Sequence, residues 1–430
     1  MYNESGTTAK TGVTEGKTGV VLQAGNDLTA KGTDISSDGD ITVKSGHNTL
    51  LNSAESTNTI SGHQWHGGVQ VSGGKTETGS KLGGGADFSI SKQSENVTDQ
   101  RGGSLRSGGT VAVSADGMRD DALHLQGTQT DAQNIALTAR DGGIVIESAQ
   151  KTTDKANWNA GGNLNIGTSR STENPETGSR HNISAGLKGG IDNQQTVTQK
   201  NALTESENLT LNSRNDTRIQ GGKLSADTIS GRVGGDLVVE SRTNTESVLK
   251  ADADLSAAHT NDEGSSTTSK LANAGTPKFA DDIKAGLENG LDKAADSVRE
   301  NAGTGAGTVA DKVKSGLTSP AGMNGKVKAS FETRSSEQVG QQSGLTAREQ
   351  GKLRTGGSTI LTGAVLDGLP DGGNTEMRSV AVKETGTRIH GELPLNAGQA
   401  VSAVKDGIVN GKSPVGISVT NDHGSVNSKV

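Results

Sequence analysis

Residues 21–46 read VLQAGNDLTAKGTDISSDGDITVKSG, and this stretch decides the fold. Short runs such as DITVK alternate apolar and polar residues. Between them stand Gly25, Asn26 and Asp27, then Asp38, Gly39 and Asp40. Alternation with period two gives a strand one face to bury. Gly, Asn and Asp tolerate the left-handed backbone that tight corners need. The pattern returns: Val111 opens VAVSADGMRDDALHLQGTQTDAQNIALTARDGGIVIES, and Leu209 opens LTLNSRNDTRIQGGKLSADTISGRVGGDLVVES, so successive starts lie 90 and 98 residues apart. Within each block a second alternation follows the first after about 20 residues, the signature of a stacked solenoid. In a β-helix the Gly and Asx clusters become corners between coils, and Val21, Leu28, Ile35, Ile41, Val43 and Leu50 are the expected inward stack.

Composition points the same way. Of 430 residues, 29% are apolar, 63 are Gly, and only three Phe, two Trp and one Tyr occur. A compact core normally takes much of its buried area from aromatics. Here the buried layers must be thin and built from small β-branched and aliphatic side chains. A net charge of −7, interspersed Lys, Arg, Asp and Glu, and almost no aromatics to stack bases argue against nucleic-acid binding. The absence of Cys excludes disulfides and thiolate metal sites, and it fits a secreted passenger that crosses a pore unfolded. The start, MYNESGTTAK, is not a signal peptide, and no apolar run has the length of a membrane span. An export signal is therefore expected upstream, and the chain reads as a segment of something longer.

Two excursions interrupt the coil pattern. The first covers about 57–107 and contains SGHQWHGGVQVSGGKTETGSKLGGGADFSISKQSENVTDQ, two alternating runs around a Gly-rich turn, as in a β-hairpin. The second begins ANWNAGGNLNIGTSRSTENPETGSRHNISAG. A third starts at VLKADADLSAAHTNDEGSS and runs into a helical pattern, with Phe279, Ile283, Leu287, Leu291, Ala295 and Val298 at three- and four-residue spacing. This predicts a helical insertion at 278–300, amphipathic and either docked on the solenoid or meeting a membrane or partner. The expected divisions are a tail at 1–18, β-helix repeats over 19–270, a helical insertion or linker over 271–325, a further repeat over 326–392, and a tail of unknown fold at 393–430.

Catalytic and cofactor motifs are missing. Gly16-Lys17-Thr18 and Gly411-Lys412-Ser413 lack the upstream Gly of a phosphate loop and read as turns. Gly303, Gly305 and Gly307 follow no strand and read as linker. His63 and His66 flank Trp65; two imidazoles could share a metal, but no third ligand lies nearby, and a surface loop with one anchoring Trp is preferred. No cofactor or metal is expected. Asp252, Asp254, Asp281 and Asp282 fall outside the coil pattern, so an enzyme of the pectate-lyase type is set aside. Trp65 and Trp158 lie in the first and second excursions. Exposed, they are contact points for a partner or membrane surface. Buried, they cap the open side of the coil, and burial is the favoured reading.

The units LQAGNDLTAKGTDISSDGDITVKSGHNTLLNSAES and QQSGLTAREQGKLRTGGSTILTGAVLDG resemble the haemagglutinin repeats of filamentous haemagglutinins. They resemble more closely the second repeat region of contact-dependent growth inhibition effectors, which leave the cell by two-partner secretion. The likeness covers about 19–270 and 325–392. It implies a mostly β chain, a right-handed parallel β-helix with hairpin-like excursions, in a filament at a bacterial surface. In the inhibition branch such a region is thought to help move a C-terminal toxin across a neighbour's outer membrane. In adhesin relatives it forms part of the cell-binding fibre, and haemolysins of two-partner systems share similar repeats. The implied partners are a two-partner outer-membrane transporter, engaged through an N-terminal region missing here, and a target-cell receptor or host surface. The pretoxin Val-Glu-Asn-Asn tetrapeptide and a recognisable toxin tip are absent from the sequence.

Overall fold

The structure is a computed structural model that describes residues 2–7, 12–171, 179–262, 324–349, 351–370, 374–395 and 417–427. Its described residues form strands joined by short corners, in three sheets. Two are parallel and together make the walls of a β-helix. The third is antiparallel and stands outside it.

Each coil of the β-helix has three strand positions. The second coil, for instance, uses Asp34–Ser37, Asp40–Ser45 and Thr49–Asn52. The first two positions belong to one sheet because three strands, Gln129–Ala139, Ala202–Ser213 and Gly222–Val233, run through the bend between them. The third position forms the other parallel sheet. Register is strict. Ile41 pairs with Val111, Val111 with Ile135, Ile135 with Leu209 and Leu209 with Ile229. These five side chains are at most 1% exposed, so one column of aliphatics runs up the interior. No coil can bury its own apolar face; stacking does it for all of them.

At two corners, buried polar residues form a pair inside the coil. Ser45 and Thr49 bond across a corner at 2.8 Å, and Ser213 and Thr217 do so at 2.9 Å. At the equivalent corners of the intervening coils the pair is apolar: Ala115 with Leu123, and Ala139 with Ile144. Thr49 Oγ1 also donates to Ser114 O of the next coil at 2.8 Å, whereas the buried Thr130 and Ser206 hydroxyls have no partner.

The inward stack differs in phase from expectation at two points. Ile35, Ile41 and Val43 are buried, and Leu28 packs on the core. Val21, however, is 69% exposed, and its neighbours Val20 and Leu22 face the core instead. Leu51 is buried rather than Leu50. Both runs carry adjacent apolar residues, so alternation alone leaves the phase open, and pairing with the next coil sets it (Val20 with Ile41, Leu51 with Leu125).

The excursions are long antiparallel hairpins: Ala54–Thr76 with Gly79–Arg101, Ala149–Ser171 with Ser179–Lys200, and Thr243–Asp262 with Asn324–Val339. A fourth pair joins Ala381–Leu395 to Ile417–Asn427. The hairpins do not fold back onto the coil. They stand side by side, pair with one another, and build a nine-stranded antiparallel sheet that also takes in Tyr2–Thr7.

One residue position separates a coil that closes from a coil that leaves. After the third strand of alternate coils comes Gly32, Gly127, Gly221 or Gly363, each with positive φ between 55° and 80°. The chain turns there and begins the next coil. After the third strand of the coils between them comes Ser53, Ser148, Ser241 or Ser379, and the chain departs into a hairpin. Each corner Gly donates its N–H to the residue before the exit Ser, to Asn52, Glu147, Glu240 and Arg378, at 2.7–3.0 Å. The left-handed corner is available to Gly at little cost and to Ser only with strain. Two coils and one hairpin therefore make the unit of about 95 residues seen as the sequence repeat.

The helical insertion expected at 278–300 lies outside the described residues, as do Gly303, Gly305, Gly307 and Gly411-Lys412-Ser413. Gly16-Lys17-Thr18 is a corner between the strands Val13–Gly16 and Gly19–Ala24, as read.

Candidate functional site

Trp65 and Trp158 both belong to the hairpin sheet. Trp65 pairs with Ile90, and Ile90 with Ala160; Trp158 pairs with Lys92 on one side and Ile191 on the other. Directly paired residues share a face of a sheet, and so do alternate residues along a strand. Trp158 is two residues from Ala160, so both Trp residues are on the same face, in adjacent rows.

That face is apolar. Along Gly79–Arg101 it carries Leu82, Gly84, Ala86, Phe88 and Ile90, and along Ala149–Ser171 it carries Trp158, Ala160, Gly162, Leu164 and Ile166. Its glycines are covered by neighbours of the same kind. Trp65 leans over Gly67, with Cζ2 2.9 Å from where a Cβ would stand, and Phe88 and Leu187 meet over Gly162. Toward the coil the same face turns polar, with Thr59 donating to Asn96 Oδ1 at 3.0 Å.

The opposite face is mostly polar and charged, with Val97 and Val248 among its few apolar residues. It holds the ion pairs of the sheet: Lys155 with Glu95 at 3.6 Å, Lys250 with Asp192 at 3.4 Å, Arg334 with Glu384 at 3.0 Å, and Arg388 with Glu332 at 2.9 Å. Its glycines lie under polar atoms, Gly190 under Asp252 Oδ1 and Gly85 under Asn165 Oδ1.

The favoured burial of Trp65 is therefore corrected. Trp65 is 67% exposed, and Val69 and Val71 beside it are 84% and 79% exposed. The expectation assumed that the excursions cap the coil; instead they pair with one another and leave this face uncovered toward the hairpin tips. Trp158 is half-buried, close to the buried Ile191. The segment around Trp65 is strand rather than loop. His63 and His66, three residues apart on that strand, fall on opposite faces and do not share a ligand; His66 Nε2 lies 3.4 Å from Asp87 Oδ2. No cluster of His, Asp and Glu among the described residues is arranged to hold a metal ion. Asp252 and Asp254 are exposed on the charged face, and Asp281 and Asp282 lie outside the described residues. No helix among the described residues is long and apolar enough to cross a membrane.

On the coil, the third-strand wall carries a part-buried polar network. Glu147 Oε1 accepts from Gln126 Nε2 at 3.1 Å and lies 3.1 Å from His124 Nε2, while Arg242 reaches Oε2 at 2.8 Å. The His124 hydrogen bond, followed by the positive charges, holds the Glu147 carboxyl below the usual glutamate range against the opposing effect of burial. A groove of about 530 Å³ lies where hairpins leave the coil, lined by Glu15, Asp34, Arg101 and Lys200 among others. Arg101 is paired to Asp34 at 2.6 Å. In the same groove Ser104 Oγ donates to Asp34 Oδ1 at 2.8 Å.

The comparisons with known proteins agree with the repeat architecture. The hemagglutinin repeat profile matches residues 2–98 and 84–253, more than half of the chain. The chain is 34% identical over 416 residues to a hemolysin of Serratia marcescens, covering 84% of this chain and 26% of that protein. It is 33% identical over 299 residues to a hemolysin of Proteus mirabilis, covering 67% and 19%. A deoxyribonuclease CdiA of Dickeya dadantii is 26% identical over 228 residues, 51% of this chain and 7% of its own length. The chain thus spans about a quarter or less of the relatives it matches. No solved structure matches it. Coils in register, hairpin excursions at a fixed interval and the matched repeats together make this chain a member of the hemagglutinin repeat family.

Proposed function

We propose that this chain is a non-enzymatic segment of a secreted bacterial surface filament that presents or translocates a C-terminal toxin into neighbouring cells, as in contact-dependent inhibition. One observation carries the reading. The coils stack in an unbroken ladder from Val13 to Arg378, with a hairpin leaving every second coil. Such a ladder is a rod with a repeated lateral decoration, suited to holding a distant domain at a distance. The likeness to CdiA proteins supports it. Export would use a two-partner outer-membrane transporter, and the filament would meet a receptor on the target outer membrane or a host cell surface. Trp65 and Trp158 are the proposed contact residues. Nucleic acid is not a proposed partner.

A second reading is a haemolysin-like or adhesive filament segment without a delivered toxin. The hemolysin relatives favour it, since they match more of the chain than the CdiA proteins do. Deleting residues 12–395 in frame from the full-length protein separates the two. Under the delivery reading the variant is still exported but no longer inhibits neighbours in co-culture. Loss of red-cell lysis or attachment, with neighbour inhibition unchanged or never present, would support the second reading. Unchanged behaviour in all three assays would refute both.

A further inference from the structure

We infer that the apolar face of the hairpin sheet is the contact between two copies of this chain, set sheet against sheet about a two-fold axis. The inference goes beyond the proposed function and rests on it only for the setting, a surface where copies stand side by side. It gives the contact role of Trp65 and Trp158 a definite partner.

The area is what such a contact needs. From Trp158 to Ile166 there are eight strand steps, about 27 Å at 3.4 Å per step. Six neighbouring strands, from Ala54–Thr76 to Asn324–Val339, pass through this band. At about 4.8 Å apart they give it roughly 800 Å². A standard protein–protein interface takes about 800 Å² from each partner. Soluble proteins rarely expose contiguous apolar patches beyond a few hundred Å². Here Val69, Val71, Leu82 and Ile166 are 84%, 79%, 61% and 42% exposed.

The chemistry of the face fits a copy of itself. From the row of Trp65 to the row of Val71 it carries no charged residue among the described positions, while the ion pairs of the sheet lie on the other side. A two-fold contact brings one patch against the same patch, so an uncharged apolar face is complementary to its own copy. Its glycines lie under neighbouring side chains, Gly67 under Trp65 and Gly162 under Phe88 and Leu187, which leaves a continuous surface. Sheets pack face to face about 10 Å apart at an angle set by their twist, and two identical sheets twist alike. The polar stem of the hairpins sets the orientation. Trp158 stands seven steps, about 24 Å, from Lys151, where neighbouring hairpins first pair beside the coil. Ile166 stands five steps, about 17 Å, from Ser171 near the tip. With the strands of the two copies antiparallel, the bands superpose and each tip stops short of the other copy's coil. Parallel strands would set the two coils, each thicker than one sheet, against one another.

The test uses the full 430-residue chain, whose two Trp residues are internal probes. Sedimentation of the purified chain over a concentration series should show a monomer giving way to a dimer of twice its mass. The Trp158→Phe variant leaves Trp65 as the reporter, and its emission should shift to the blue in step with dimer formation. Adding Val69→Asp and Val71→Asp should abolish both, whereas Gln70→Asp, on the opposite face, should leave them intact. Circular dichroism of every variant checks that the β signal is retained. A chain that stays monomeric across the series would overturn the inference. So would a Trp65 emission already blue in the monomer, the mark of a face covered by the chain's own residues. Association that persists in the aspartate variant, as stacking of coil ends would, overturns it as well. A monomer with toxin delivery intact in co-culture would remove the paired sheets alone; a dimer without delivery would support them and remove the delivery reading alone.

Discussion

Asp236 follows Asp216 by one coil of 20 residues, and Asp216 Oδ1 accepts the backbone N–H of Asp236 at 2.9 Å. Asp236 repeats the move on the next coil, accepting from Ser358 N at 2.7 Å. Asp40 does the same for Thr110 at 2.8 Å at another corner. In each case the residue before the capped one is Gly (Gly235, Gly357 and Gly109), and the Asp oxygen lies 2.2–2.5 Å from where its Cβ would stand. The carboxylate fills the space that the missing side chain leaves. Coils are thus tied at their corners by side chains as well as along their strands by backbone.

Replacing Asp236 by Ala removes the acceptor of a part-buried N–H. The expected loss is about 1 kcal/mol, the ordinary size of an uncapped donor. Asp236→Asn keeps an acceptor in place and should lose less. Chemical denaturation of the two variants side by side measures the difference; equal losses would show that the cap is not what stabilises this corner.

Gly127 marks a coil that closes rather than leaves. Its φ is 59°, and a Cβ there would stand 2.6 Å from the Ala149 Cβ at the root of the second hairpin. Gly127→Ala combines a left-handed penalty of about 1–2 kcal/mol with a clash between two ordered segments. A thermal midpoint well below that of the parent is expected, and an unchanged midpoint would mean that the corner relaxes freely.

Leu211 is fully buried in the column beside that of Leu209, paired with Leu137 below and Gly231 above. Leu211→Ala leaves a cavity among close-packed neighbours, and about 2–5 kcal/mol should be lost. The variant protein, unfolded in urea, reports this directly. A loss under 1 kcal/mol would indicate that the coils collapse around the gap.

Glu147 supplies the pH dependence. Its folded carboxyl titrates below the ordinary glutamate range because of the His124 hydrogen bond and then the nearby positive charges. A depressed folded value means that its stabilising contribution is complete above the unfolded value, about 4.3, and is lost as pH falls through the lower folded value. Glu147→Gln should therefore be less stable than the parent near neutrality, and the two should converge in acid. Parallel stability curves from neutral pH downward would rule out this role.

Much of the coil was legible in the sequence. The alternation in DITVK placed Ile41 and Val43 inside, and the Gly and Asx clusters marked the corners, because both signals are local. The phase at Val20 and Leu51 was not, since adjacent apolar residues fit either face until a second coil pairs with them. The Gly-or-Ser alternation after each third strand was present in the sequence and informative once the coils were aligned, because a left-handed corner is a local demand on one residue. The surface around Trp65 was only half legible. The hairpins could be read, and their two-sided alternation with them, but not what their faces meet.

By itself, the sequence determined a stacked β-helix with hairpin excursions at a fixed interval, because short-range alternation, turn chemistry and repetition are properties of neighbouring residues. Only the tertiary structure decided that the hairpins leave the coil and pair with one another. That pairing joins Ile90 to Ala160, far apart in the chain, and rests on backbone hydrogen bonds that carry no residue signature. It gathers many apolar positions of separate hairpins onto one face and the ion pairs onto the other, and so turns four local excursions into a single two-sided surface.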